Sequence, residues 1–222
     1  MTRHAAAAIL FLAIAPTAGL AAGPQDAADL PARIEKAFGS LRVMTARFTQ
    51  KIENKGFGGV RLASGFMAMK KPDRIRWEYT EPAPILIVAD GERLWYYDQP
   101  ENTVYIESLQ GWLGPQSPAM FLAGEAPLSA IFDVSPSSAA SEGEAAIKLA
   151  PKAPQPGLKA ILLKVDAKTY TIVELVMVDH LGNRNTISFT DVDANASPDP
   201  SMFRFTPPSG AKISRTAKTP GL

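Results

Sequence analysis

From Val43 onward the apolar residues of this chain fall on every second position, in one short run after another as far as Asp193, and this period limits its fold more than any other feature. Met44, Ala46, Phe48 and Ile52 alternate with Thr45, Arg47, Thr49 and Lys51. Successive side chains of a strand point to opposite faces, so such a run is a strand with one face buried. Gly56, Gly58 and Gly59 mark a hairpin loop. A second extended run follows at 60–69, and then a third in which Ile75, Trp77 and Tyr79 alternate with Arg74, Arg76 and Glu78. The pattern is an antiparallel meander. It continues at 85–89 and 94–97, separated by Asp90-Gly91, a strong hairpin signal, and at 103–107. After a polar loop at 135–140, strands resume at 146–149, 158–166, 171–179 and 184–193, with Phe203-Arg204-Phe205 as one more.

Helical spacing is confined to short pieces. Leu30, Ile34, Ala37, Phe38 and Leu41 follow the three-and-four rhythm of an amphipathic helix over 26–41, with Pro31 in its first turn. Pro118 and Pro127 each precede a short apolar stretch, Met120-Phe121-Leu122 and 128–132, and two short helices are expected there. The chain is therefore an α+β protein of roughly 10–11 strands and three short helices, and a twisted sheet that long curls or splits. A curled, unclosed antiparallel β-barrel with the helices as a lid is the economical solution. The pattern alone also allows a two-sheet sandwich.

At the N-terminus Arg3 and His4 precede an apolar run at 5–15, followed by the small residues Ala18, Gly19, Ala21 and Ala22. That order reads as a signal peptide over 1–22, too short to span a bilayer, with the mature chain beginning near Ala22 or Gly23. One domain is expected over 23–210, then a basic, disordered tail at 211–222. No cysteine occurs, so no disulfide and no lipid anchor on cysteine are expected. Without Arg3 the 23 basic residues become 22 and balance the 22 acidic ones. No basic stripe is left for a nucleic acid. Met44, Met67, Met69, Met120, Met177 and Met202 are numerous for one domain and suit an adaptable apolar surface, though core filling explains them as well.

The chain offers little to an enzyme. His180 stands alone in the turn Asp179-His180-Leu181-Gly182, and no cysteine or second histidine of the mature chain is available for a metal or nucleophile. No nucleophile elbow, zinc-protease motif or phosphate-cradling loop is present. Asp191-x-Asp193-x-Asn195 resembles a calcium loop only until Ala196, where that loop needs glycine. No cofactor and no metal are expected.

Five motifs in order carry a family resemblance over nearly the whole mature chain. They are Arg47-Phe48-Thr49-Gln50, Lys70-Lys71-Pro72 leading to Arg76-Trp77-Glu78-Tyr79, Asp90-Gly91-x-x-Leu94-Trp95-Tyr96-Tyr97-Asp98, Ser117-Pro118-x-Met120-x-Leu122, and Phe203-x-Phe205-Thr206-Pro207-Pro208. Together they resemble the LolA family of periplasmic carriers of outer-membrane lipoproteins. The resemblance implies a soluble, monomeric, non-catalytic chaperone that takes the acyl chains of its cargo from an inner-membrane ABC transporter of the LolCDE type. It would deliver them to an outer-membrane receptor of the LolB type. Each acyl methylene exposed to water costs about 0.8 kcal/mol, so three chains of roughly sixteen carbons would cost on the order of 35 kcal/mol. A large apolar concavity with a movable lid is what such cargo needs.

The resemblance also implies a latch. Lys71 stands where the family has an arginine that hydrogen-bonds the lid backbone, and an ammonium on a flexible stem replaces a rigid five-donor fork there. Lys70 is the alternative. A partly exposed charge is expected at Lys71. Ile34, Leu122 and Leu175 are the apolar positions implied near the latch. Ile75 and Trp77, two apart on one strand face, are the first candidates for the cavity wall, followed by Phe48, Leu94 and Tyr96, with Phe38 and Met120 contributed by the helices. Arg74, Arg76 and Glu78 on the opposite face form a ladder of charges. The same fold could instead carry other envelope lipids or sense envelope stress. N-terminal sequencing of the exported protein is expected to begin at Ala22 or Gly23; a chain that retains residues 1–21 would overturn the cleavage assignment.

Overall fold

A computed structural model describes residues 24–56, 58–108, 121–122 and 126–214. The first helix, α1 (Pro24–Ser40), leads into six strands: β1 (Val43–Asn54), β2 (Gly59–Lys70), β3 (Arg74–Glu81), β4 (Ile85–Asp90), β5 (Arg93–Asp98) and β6 (Thr103–Ser108). Phe121 and Leu122 are helical. The short helix α2 (Leu128–Ile131) then runs into β7 (Phe132–Pro136), followed by β8 (Glu144–Pro151), β9 (Ala160–Asp166), β10 (Ile172–Val178) and β11 (Arg184–Asp193). A 3-10 helix (Pro200–Phe203) and β12 (Lys212–Ser214) complete it.

All twelve strands form one sheet in the order β12-β6-β5-β4-β3-β2-β1-β11-β10-β9-β8-β7. The long β1 joins the halves by pairing with β2 on one side and β11 on the other, from Glu53↔Val60 and Glu53↔Arg184 inward. This rules out the sandwich, because no second sheet exists among the described residues. The edge strands β7 and β12 lie at opposite ends of the order and do not pair, so the barrel is unclosed. Neighbours are antiparallel except β12, which runs parallel to β6.

Burial alternates along β1, with Met44, Ala46, Phe48, Gln50 and Ile52 buried between more exposed neighbours. Met67 and Met69 on β2, Ile75, Trp77 and Tyr79 on β3, and Ile187 and Phe189 on β11 share that inner face in one apolar cluster with Met44, Ala46 and Phe48. Register shifts interrupt β1–β11 between Thr45 and Arg47, β2–β3 between Ser64 and Gly65, and β9–β10 between Ile172 and Glu174. Such bulges bend a strand and sharpen its twist, which a sheet needs in order to curl. At Gly65, opposite both Phe48 and Tyr79, a Cβ atom would overlap the backbone carbonyl of Glu78, so only glycine lets β3 approach this closely.

β4 is buried on both faces, which accounts for its unbroken apolar run. Ile87 and Ala89 join the inner cluster, whereas Leu86 and Val88 join a second cluster with Trp95 and Val104 on the outer face. Phe205 covers that outer cluster, its ring 5.7 Å from Trp95 and 5.6 Å from Tyr97. The residues Phe203-Arg204-Phe205 are therefore not a strand. Asp199 accepts a hydrogen bond from Ser201 N and starts the 3-10 helix, Phe203 is buried beside β3 and β4, and the extended segment after it lies across the sheet rather than in it.

Four further expectations change. The first helix begins at Pro24, which puts Pro31 inside it rather than in its first turn. Ser135 and Pro136, expected in a loop, close the edge strand β7, where proline costs no ladder bond on the open side. The strand count is twelve rather than ten or eleven. Lys212–Ser214, expected to be disordered, form β12, because Lys212 N donates to Asn102 O at 2.9 Å and Asn102 Nδ2 to Gly210 O at 3.2 Å. Gly65→Ala should lower unfolding stability by about 2–3 kcal/mol, measured by urea titration. Gly39→Ala, which meets nothing within 4 Å, should change it by no more than about 1 kcal/mol. Equal effects would remove the role given to the close approach at Gly65.

Candidate functional site

The inner face is apolar from β7 to β5, and its centre is aromatic. Phe48 lies 4.7 Å from Trp77, tilted, and 5.1 Å from Tyr79, edge-on, while Phe189 meets the edge of Trp77 at 6.4 Å. Methionines 44, 67, 69 and 177 pack around this group and supply side chains that can change shape without strain. Burial pushes the Tyr79 phenol far up, Tyr96 adds to this, and the neighbouring Trp77 indole offsets a little of it. The phenol is neutral throughout the physiological range, so the inner face carries no charge here.

Helical segments cover the face. α1 lies against β7 and β8. Ile34 and Phe38 of α1, together with Phe121, Leu122 and Leu128, join the same cluster. Phe121 links the cover to itself and to the sheet, 5.2 Å from Phe38 and 6.3 Å from Phe132. Helix periodicity put Ile34 and Phe38 on one face, and that face is the one turned inward.

Two polar ties hold α1 in place. Lys71, at the end of the β2 ladder, is only 7% exposed. Its Nζ donates to Phe38 O at 3.2 Å and sits 4.3 Å from the centre of the Phe38 ring. A cation at the last turn of a helix answers carbonyls that have no partner within the helix, and it faces the negative end of the dipole. Glu35 makes the second tie: its Oε1 accepts from both Ser129 N and Ser129 Oγ at 2.7 Å, joining α1 to the first turn of α2. Lys152 Nζ then donates to Ser129 O at 2.7 Å, anchoring the pair beside β8.

Ile34, Phe38, Phe48, Ile75, Trp77, Leu94, Tyr96, Leu122 and Leu175 thus all lie in one buried apolar cluster. Met120 lies outside the described residues. The expectation of a partly exposed Lys71 is overturned, because Phe38 covers its ammonium. Lys70 is exposed, since alternation turns it to the other face. Arg76 and Glu78 pair at 2.7 Å on the outer face and are only partly exposed, so the ladder of charges is less solvated than expected. Tyr79, Phe189, Phe121 and Phe132 belong to the site without having been singled out, although Tyr79 stands in the same alternating run as Ile75 and Trp77. Nothing in the sequence signals the Glu35–Ser129 tie.

Other features are ordinary. His180 Nε2 contacts Gln155 O at 3.0 Å in its turn, and Asp193 Oδ1 accepts from Asn195 N at 2.8 Å at the end of β11. Among the described residues no group of three His, Cys, Asp or Glu side chains could hold a metal ion, and no helix is long and apolar enough to cross a membrane. A groove of about 850 Å³ on the central strands is lined by the charged Lys51, Glu53, Glu81, Glu174 and Arg184 mixed with Leu62, Ala63 and Val176. The five charged side chains disfavour hydrocarbon there.

The family profile described as "Outer membrane lipoprotein carrier protein LolA" matches residues 39–206, which takes in β1 through β11 and the 3-10 helix. The chain belongs to the LolA family. An outer-membrane lipoprotein carrier protein of Chromobacterium violaceum is 33% identical over 205 residues, 92% of this chain and 95% of that one. Its counterpart in Nitrosomonas europaea is 32% identical over 170 residues, 77% of this chain and 81% of the relative. A solved structure of an uncharacterized conserved protein from Thermus thermophilus has the same fold, with a TM-score of 0.52 at 15% identity over 86% of this chain and all of that one.

Lys71→Met should speed hydrogen exchange at the amides of α1 about tenfold, equivalent to roughly 1.4 kcal/mol, and leave β9–β11 unchanged. Unchanged exchange in α1 would mean that Lys71 does not hold it.

Proposed function

We propose that this protein is a non-catalytic periplasmic carrier which holds the acyl chains of lipoproteins against the inner face of its open sheet. Membership of the LolA family supports a lipoprotein carrier role. The observation that carries the mechanism is the continuous apolar face covered by helical segments, with α1 held by two polar ties.

In this reading the empty protein keeps its apolar face dry by laying Ile34, Phe38, Phe121, Leu122 and Leu128 over it. Loading displaces that cover, and the acyl chains take its place on Phe48, Ile75, Trp77, Leu94, Tyr96 and Leu175. Lys71 must then give up Phe38 O. The hydrogen bond lost is worth about 1 kcal/mol, far less than the hydrocarbon burial gained, so the latch sets the balance between open and closed forms without preventing loading. Release to an acceptor is helped by closure, which regains the latch and the helix contacts. Lysine in place of a fork of donors gives the tie to Phe38 O one donor nitrogen on a flexible stem. Cargo would arrive from an inner-membrane transporter of the LolCDE type and leave for an outer-membrane receptor of the LolB type, the signal peptide placing the carrier between them.

The test is to incubate the purified mature protein with inner-membrane vesicles, ATP and a radiolabelled triacylated lipoprotein. Label should leave the vesicles as a soluble one-to-one complex. With a competent transporter, no release would move the function to other envelope lipids. Lys71→Leu should still fold and accept cargo but transfer it to the acceptor several-fold more slowly. Unchanged transfer would leave Lys71 as a structural contact only.

A further inference from the structure

Among the described residues two buried side-chain polar atoms have no hydrogen-bond partner, Gln50 Oε1 and Trp77 Nε1. Gln50 belongs to an amide whose nitrogen already donates to Asn185 Oδ1 at 2.9 Å, and its free atom is an acceptor. Trp77 Nε1 differs. It is a donor on a side chain 2% exposed, in the middle of the inner apolar face. Tyr79 lies beside it and the indole slightly lowers the pKa of its phenol, but no acceptor meets Nε1 in hydrogen-bonding geometry.

A buried donor without an acceptor costs stability, and phenylalanine would line the wall without that cost. An acyl chain differs from plain hydrocarbon at one end, where an ester or amide carbonyl offers a strong acceptor and asks for one donor. We propose that Trp77 Nε1 is the hydrogen-bonding post for the acyl carbonyl of bound lipoprotein, so that the linkage of the chain is recognised as well as its hydrocarbon. The inference rests on the carrier reading above and gives it a register: one chain enters until its carbonyl meets β3. The surroundings suit such entry. Phe48 and Phe189 flank the indole, and Met67, its cross-strand neighbour, is a flexible side chain that can yield space. Tyr79, in the same alternating run of β3 and neutral, carries a hydroxyl that can donate to the same carbonyl.

The experiment compares a synthetic diacylglyceryl lipopeptide with its dialkyl ether analogue, identical except for the carbonyls, on the full mature protein. Unmodified protein should bind the ester roughly five-fold more tightly, the worth of about one hydrogen bond. Trp77→Phe should bind the two alike, because the ester loses about five-fold more than the ether does, and an unchanged far-UV circular dichroism spectrum shows that it is folded. On the unmodified protein, the Trp77 indole proton resonance, assigned by its absence in the variant, should move downfield with ester and not with ether. Equal loss of both ligands in Trp77→Phe, or an indole resonance that the ester leaves unmoved, would overturn the proposal and make Trp77 a plain wall residue. A preference shown only for a diacyl phospholipid over its ether analogue would assign the carbonyl to phospholipid and overturn the lipoprotein source. Failure of the unmodified protein to bind either lipopeptide would instead overturn the carrier reading, and this inference with it.

Discussion

Twelve strands that do not close leave an apolar face with no second sheet to cover it, and hydrocarbon exposed on that scale is not tolerated in water. A filled core would solve the problem permanently. Here the cover is a set of short helical segments carrying Ile34, Phe38, Phe121, Leu122 and Leu128. Their apolar side chains satisfy the face, and in the proposed function the acyl chains of the cargo take their place. That substitution is the physical basis of the carrier role proposed above.

The two ties have different characters. Lys71 donates to Phe38 O near the end of α1 from the turn after β2, and this is the contact that the proposed loading would break. Glu35 joins α1 to α2 by accepting from both Ser129 N and Ser129 Oγ. On the opposite face, Phe205 packs over Trp95 and Tyr97 and covers the outer cluster of β4–β6.

Much of this was legible in the sequence because the period of two is imposed by backbone geometry. Alternation placed Ile75, Trp77, Phe48 and Leu94 on the inner face with the right register, and the Asp90-Gly91 hairpin fell between β4 and β5. Alternation cannot tell a curled sheet from a sandwich. The decision lies in β1 pairing with both β2 and β11, a contact between distant parts of the chain. Phe203-Arg204-Phe205 imitates a strand because two aromatics two apart are also what an extended segment needs to cap an outer patch. β12 carries only three residues and is held through Asn102, too little for a periodic signal. Burial of Lys71 escaped for a similar reason, since it depends on Phe38, which lies 33 positions away.

The central claim is that acyl chains lie on the inner face. The most direct measurement is to load the protein with a lipoprotein whose acyl chains carry a photoreactive diazirine and to map the adducts by mass spectrometry. The account predicts adducts on inner-face residues such as Ile34, Leu94 and Leu175. Adducts confined to the outer face, at Val60 or Leu62, with none on the inner strands would contradict it.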